Sequence, residues 1–195
     1  MAKVSSEAET AYKVIINTYY RDEDYMLLNH EQVKSFLPHR SPFLFIDTIK
    51  EVILSDEAKG KDKIVTKDLI GAKVIAFFEV KESLEILKGH FPGMPILPGV
   101  VLIELMAQAS AFVSVPLTDF SLADLNVETL LLSVTNSKFR KLVTPGMNLE
   151  IHTTLIKNRG SIAYYSSEVF CEGDKVAEAE FMAKLIIKKN ETDKG

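Results

Sequence analysis

The stretch Gly89-His90-Phe91-Pro92-Gly93-Met94-Pro95-Ile96-Leu97-Pro98-Gly99 runs directly into Val100-Val101-Leu102-Ile103-Glu104-Leu105-Met106-Ala107-Gln108-Ala109-Ser110-Ala111-Phe112-Val113-Ser114-Val115. Six of the first 11 residues are Gly or Pro, and three of the chain's 7 prolines fall among them. Proline fixes φ and lacks an N–H, and glycine turns freely, so this segment is neither regular helix nor sheet but a fixed, turning path. The apolar run behind it, fenced by Pro98 and Pro116, predicts a helix. A helix apolar on almost every side has to be wrapped by other structure. Glu104 and Gln108 interrupt the run, which favours a buried core helix over a membrane span.

Outward from this helix, the chain alternates strand and turn signals. Asn29 caps a short helix, His30–Leu37, which Pro38 ends. Phe43–Leu54 and Val74–Val80 carry the Phe, Ile and Val content of strands, with a charged loop at Ser55–Lys63 and a helical turn at Ser83–Leu87. Beyond Pro116 come four more strand signals: Thr129–Ser137, Met147–Lys157, Ser161–Cys171 and Lys175–Lys189. Asn158-Arg159-Gly160 and Glu172-Gly173-Asp174 separate the last three, and such short turns join antiparallel neighbours. The expected architecture is α+β, one central helix embraced by an antiparallel sheet. Residues 1–29 are expected to form an N-terminal extension, with a short helix or strand at Ala11–Tyr20, and residues 30–195 the domain.

Composition narrows the function. The chain has 195 residues, with 23 Lys and Arg against 27 Asp and Glu, a net charge of −4. Nucleic-acid binding normally demands a basic excess, and attraction to an anionic membrane surface does too. The one cysteine, Cys171, excludes an internal disulfide and a cysteine-cluster zinc site, and a reducing compartment is the simplest setting. Val14-Ile15-Ile16 is too short for a signal peptide and is followed by Arg21, Asp22, Glu23 and Asp24, so a cytoplasmic location is expected.

Chemistry is concentrated at the decisive stretch. A carboxylate buried among Ile103 and Leu105 is costly unless paired or protonated, and burial tends to raise its pKa, making Glu104 a proton donor near neutral pH. Gln108 shares its helical face. The competing reading puts Glu104 and Gln108, with Ser110 and Ser114, on a solvated stripe. His90 lies at the mouth of the helix, where Gly99 and Val100 offer free backbone N–H groups and the positive dipole end. A histidine base, a carboxylic acid and N–H donors for a developing oxyanion form a usable set. The residues by themselves leave the catalytic and structural readings open.

The run Gly89–Gly99, with Glu104 and Ala107-Gln108 behind it, closely resembles the signature of FabZ-type (3R)-hydroxyacyl-acyl-carrier-protein dehydratases. Leu37-Pro38-His39-Arg40-Ser41-Pro42-Phe43-Leu44-Phe45-Ile46-Asp47 resembles the lead-in to that family's first strand. Lys138-Phe139-Arg140-Lys141-Leu142-Val143-Thr144-Pro145-Gly146 resembles its mid-chain strand and turn, and Val176–Ala183 its last strand. The resemblance implies a hotdog fold, a long helix wrapped by a curved antiparallel sheet. It implies an obligate dimer, or a trimer of such dimers, with sites at the subunit interface. His90 of one subunit and Glu104 of the other would be the catalytic pair, and the backbone at Gly99 and Val100 would face the thioester carbonyl. Phe91, Ile96, Leu97, Gln108 and Leu130 would contact substrate, Leu130 standing where the family often has a gating aromatic. Glutamate rather than aspartate at position 104 favours this type over the related dehydratase-isomerases. Acyl carrier protein would be the partner, and neither a metal nor a redox cofactor would be needed.

Two segments depart from the pattern: Leu84–Lys88, where a Phe-Phe-Gln run is common, and Ser55–Gly71, which exceeds the usual first hairpin. His39 and Arg40 are expected to orient the lead-in to the first strand, with catalysis as the alternative. Lys138, Arg140, Lys141, Lys184, Lys188 and Lys189 are expected to be exposed, with the alternative that they grip an acidic carrier protein. Two rival functions stay open, a hotdog thioesterase and a non-catalytic acyl-binding or partner-stabilising subunit.

Overall fold

The structure, a computed structural model, describes residues 27–61, 63–117 and 125–189. The segment Ala11–Tyr20 lies outside the described residues. The elements are α1 (His30–Phe36), β1 (Thr48–Ile53), β2 (Lys73–Glu79), α2 (Gly99–Ala111), β3 (Leu125–Phe139), β4 (Asn148–Arg159), β5 (Ile162–Cys171) and β6 (Asp174–Lys189). Short 3₁₀ turns occupy Thr66–Leu69, Glu85–Lys88 and Phe112–Leu117. All strand pairs are antiparallel, and the six-stranded sheet has the order β1-β2-β4-β5-β6-β3.

Local chemistry explains most boundaries. At α1, Gln32 N–H donates to the Asn29 side chain at 3.1 Å while Asn29 N–H donates to the Gln32 side chain at 2.9 Å, a reciprocal cap. The β5–β6 turn needs two left-handed residues, and Glu172 (φ 50°) and Gly173 (φ 83°) supply them. The first strand is shorter than the apolar run suggested. Phe43–Asp47 precedes the strand, Phe43 N closing a turn on Arg40 O and Asp47 N bonding Phe77 O of β2, and β1 starts at Thr48. Just ahead of α1, Leu28 bridges Ile49 and is buried in the core.

The sheet wraps α2. Along β5 burial alternates strictly, placing Ala163, Tyr165, Ser167, Val169 and Cys171 inward. Leu149, Ile151, Thr153 and Leu155 of β4 and Ala177, Ala179, Phe181 and Ala183 of β6 complete that inner face. Against it lie Val101, Leu102, Leu105, Met106 and Ala109 of α2. Phe36 of α1 stacks on Phe112 at 4.8 Å and closes one end. The span Gly99–Pro116 has the length and mean hydropathy, 1.6, of a membrane span, yet 72% of it is buried inside the protein. Its charge content and packing are those of a core helix.

The departure at Ser55–Gly71 folds as a tied loop. Ser55 Oγ donates to the Asp68 carbonyl, and the Asp68 carboxylate accepts from Lys61 Nζ at 2.6 Å and Val65 N at 3.0 Å. At the opposite edge, β3 pairs with β6. Leu130, Leu131 and Leu132 are 48%, 39% and 50% exposed there, a cluster of apolar side chains with an open ladder beside it.

Leu105 has no exposed surface and sits where helix meets sheet. Leu105→Ala should therefore lower unfolding stability by about 2–5 kcal/mol, read by urea denaturation at fixed protein concentration. A loss below about 1 kcal/mol would contradict this packing.

Candidate active site

The Gly/Pro path is a set of closed turns. Phe91 and Met94 exchange backbone hydrogen bonds at 3.1 and 2.9 Å around Pro92-Gly93, and Gly93 has φ 79°, the type II arrangement of proline then glycine. Ile96 N donates to His90 O at 2.8 Å, and Leu97 N donates to Val143 O at 2.7 Å, tying the path to the segment after β3. These turns hold His90 half-buried. Its Nδ1 lies 2.9 Å from the Ile96 carbonyl. A carbonyl only accepts, so Nδ1 carries the proton and Nε2 presents a free lone pair. The Phe91 ring stacks on the imidazole at 4.1 Å.

Pro98 precedes the first turn of α2, where Gly99 and Val100 have no intrahelical acceptor for their N–H groups. A Cβ at Gly99 would lie 3.0–3.2 Å from three ring carbons of Phe139, so a side chain there would require that ring to give by a few tenths of an ångström. The Val100 side chain is 72% exposed.

Glu104 sits one turn further along, at the rim of the core. Its Oε1 accepts from Gln108 Nε2 at 2.9 Å and lies 3.4 Å from His39 Nε2. Gln108 is almost fully buried and bridges further: its Nε2 also donates to Phe43 O at 2.8 Å, and its Oε1 accepts from Phe45 N at 2.9 Å. Gln108 is thus the clamp between the central helix and the lead-in to β1, which rules out the solvated-stripe reading. The expectation of a raised Glu104 pKa is corrected. Burial pushes the carboxyl up, but the hydrogen bonds from His39 and Gln108 and the charge on His39 together hold it below the usual carboxylate value.

The other expected substrate residues fall into two groups. Phe91, Val100 and Leu130 are exposed and Ile96 half-buried, while Leu97 is packed in the core beside Val143. Among the described residues no hydrogen bond or ion pair joins His90 to Glu104 of the same chain. Arg40 orients the lead-in as expected, donating to Leu37 O at 2.8 Å and His39 O at 2.6 Å. His39, expected to share that task, also lies with its Nε2 3.4 Å from Glu104 Oε1; the signal available for this was its place four residues before Phe43 in the lead-in. Lys138, Arg140 and Lys141 are exposed but already paired, the first two with Glu178 and the third with Asp174. Lys175 and Arg140 beside Glu178 hold its pKa at about 2.

A long helix wrapped by an antiparallel sheet, with a histidine in its leading loop and a carboxylate one turn inside, defines a hotdog-fold protein of the FabA-like class. Residues 37–180 match the family model described as FabA-like domain. The 3-hydroxyacyl-[acyl-carrier-protein] dehydratase FabZ of a Nitratiruptor species is 38% identical over 165 residues, covering 83% of this chain and all (100%) of that protein. The FabZ of an Anaeromyxobacter species is 33% identical over 168 residues, covering 85% of this chain and 94% of that one. The chain belongs to the FabZ family of 3-hydroxyacyl-[acyl-carrier-protein] dehydratases. Among solved structures, the dehydratase heterocomplex ApeI:P from Xenorhabdus doucetiae shares the fold, with a TM-score of 0.57 and 19% identity over 79% of this chain and 90% of that one.

The clamp has a measurable weight. Gln108→Leu leaves the buried Phe45 N and the part-buried Phe43 O without their partner and should cost about 1–3 kcal/mol of stability, measured by denaturant unfolding. A fully stable variant would show the bridge to be dispensable. The depressed pKa of Glu104 has its own signature. Its contribution to stability is complete above the unfolded-state value and is lost as pH falls through the lower folded-state value. Glu104→Gln should therefore flatten the acid side of the stability–pH curve, and an unchanged slope would contradict the assigned direction.

Proposed function

We infer that this chain is a hydro-lyase that removes water from a (3R)-3-hydroxyacyl thioester carried on acyl carrier protein, giving the trans-2-enoyl thioester in fatty acid biosynthesis. The observation that carries this reading is the division of labour between two side chains. His90 has its Nδ1–H committed to a carbonyl and its Nε2 free. Glu104 has one carboxyl oxygen held by donors and the other open.

In this reading His90 Nε2 takes the α-proton. The electron pair of that C–H bond moves toward the thioester carbonyl, and the N–H groups of Gly99 and Val100 stabilise the developing enolate-like oxygen. The pair then returns to form the Cα=Cβ bond as the Cβ–O bond breaks, and Glu104 gives its proton to the departing hydroxyl, which leaves as water. Proton transfer from His90 back to Glu104 through solvent resets the site. Glu104 must be protonated when it acts, although in one chain its carboxyl is held low. Cover from a second subunit adds the desolvation that moves it back up.

We place the site between two copies of the chain. His90 and Glu104 do not bond each other within one copy, and β3 offers an open ladder and exposed leucines at the sheet edge. A second copy pairing along that edge would bring His90 of one subunit to Glu104 of the other, and a trimer of such dimers is a further level of the same assembly. Phe91, Ile96, Val100 and Leu130 then form the channel wall, with Leu97 supporting it from the core. The acidic carrier protein meets the basic stripe Lys138, Arg140 and Lys141 only by competing with Glu178 and Asp174. A cytoplasmic setting belongs to this reading, and the buried free thiol of Cys171 suits a reducing compartment.

The test is spectrophotometric, following enoyl thioester formation from a 3-hydroxyacyl thioester. His90→Ala and Glu104→Gln should each lower kcat about a hundredfold or more while fold and oligomer persist. Mixing the two inactive variants under conditions of subunit exchange should restore part of the activity, because one of the two mixed sites carries both intact residues. Exchange without recovery would place the site within a single chain, and full activity of either variant would remove that residue from the chemistry.

A further inference from the structure

Proton transfer by His90 and Glu104, with Gln108 as clamp, leaves His39 without a task. We propose that His39 is a positioning residue for Glu104: its Nε2–H, together with Gln108, holds Oε1 so that Oε2 faces the leaving hydroxyl. The proposal rests on the assignment of Glu104 as the proton donor.

The geometry carries it in three steps. First, both contacts fall on the same oxygen, Gln108 Nε2 at 2.9 Å and His39 Nε2 at 3.4 Å. A glutamate side chain has several rotatable bonds, and one hydrogen bond leaves the carboxyl group free to swing about the bonded oxygen. A second donor, brought from a different element, fixes the plane of the group and so the direction of Oε2. Second, His39 is itself held. Pro38 restricts the backbone before it, Arg40 grips Leu37 O and His39 O, and the side chain is only 21% exposed. Third, His39 Nδ1 is buried with no hydrogen-bond partner among the described residues. The polar reach of the ring therefore runs through Nε2 alone, and Nε2 points at Glu104. A histidine kept for stability would be expected to use its buried nitrogen.

The groups facing Glu104 come from two elements. Gln108 shares α2 and is neutral. His39 comes from the segment between α1 and β1, and it is the titratable group there whose charge acts on the carboxyl. Removing it takes away one donor and leaves the Gln108 clamp intact, so the effect should appear in the chemical step rather than in folding.

The experiment uses the full-length oligomer and a double-mutant cycle on kcat and KM with a 3-hydroxyacyl thioester. His39→Ala should lower kcat about tenfold or more with KM changed less than about twofold. His39→Gln, whose side-chain amide N–H can reach the same oxygen, should retain kcat within about threefold of the parent. In the Glu104→Gln background, His39→Ala should have no further effect beyond about twofold, because His39 acts only through that carboxyl. If His39→Ala does not assemble, judged by circular dichroism and gel filtration, His39→Asn takes its place, since its shorter amide does not reach Oε1. Parent-like kcat for His39→Ala or its substitute, a His39→Gln as impaired as that variant, or a fully additive loss in the double variant would each overturn the proposal. Parent-like activity of Glu104→Gln alone would instead overturn the assignment of Glu104, whatever His39 does.

Discussion

The structure depends on the burial of a helix that cannot stand in water. Gly99–Ala111 carries nine buried residues out of thirteen, on several faces of the cylinder. Each large apolar side chain among them is worth roughly 1.5–3 kcal/mol when fully withdrawn from water, and only a surface that curves around the helix can reach them together. The alternating inner faces of β4, β5 and β6 are that surface. The same constraint sets the terms of the site, because any polar group on this helix is either satisfied inside the wrap or pushed to its rim.

Gln108 and Glu104 show both outcomes. Gln108 is inside and spends its amide on two backbone groups of the lead-in to β1 and on Glu104. Glu104 is one turn nearer the helix start, at the rim, where a carboxyl stays partly exposed and is still held. The His90 loop reaches comparable rigidity by another route. Prolines and a left-handed glycine close its turns, and the histidine side chain completes the pattern by donating to Ile96 O. His90 and Glu104 are thus fixed by unrelated devices, one local and one built from packing.

Much of this is legible in the chain. Asn29 announces its cap and Glu172-Gly173-Asp174 its turn, because each is settled by backbone sterics or hydrogen bonds within a few residues. The first strand falls short of its apolar run for a physical reason. Phe43 and Phe45 are as apolar as a strand requires, but Phe43 O and Phe45 N are taken by the Gln108 side chain rather than by a neighbouring strand. Composition does not reveal which partner a backbone group will find.

The sequence by itself determined the wrapped helix, the antiparallel partners around it, and His90 and Glu104 as the chemical candidates, since periodicity and Gly/Pro punctuation act at short range. Tertiary structure decided the surroundings of Glu104 and the contact His39 makes with it. Burial alone argued for a raised pKa, yet the carboxyl is held low by groups on two separate elements, His39 before β1 and Gln108 on α2, the latter anchored to Phe43, 65 residues away along the chain. Electrostatic balance of this kind is set by short distances through space, such as the 3.4 Å from His39 to Glu104, and those distances exist only after the sheet has closed around the helix.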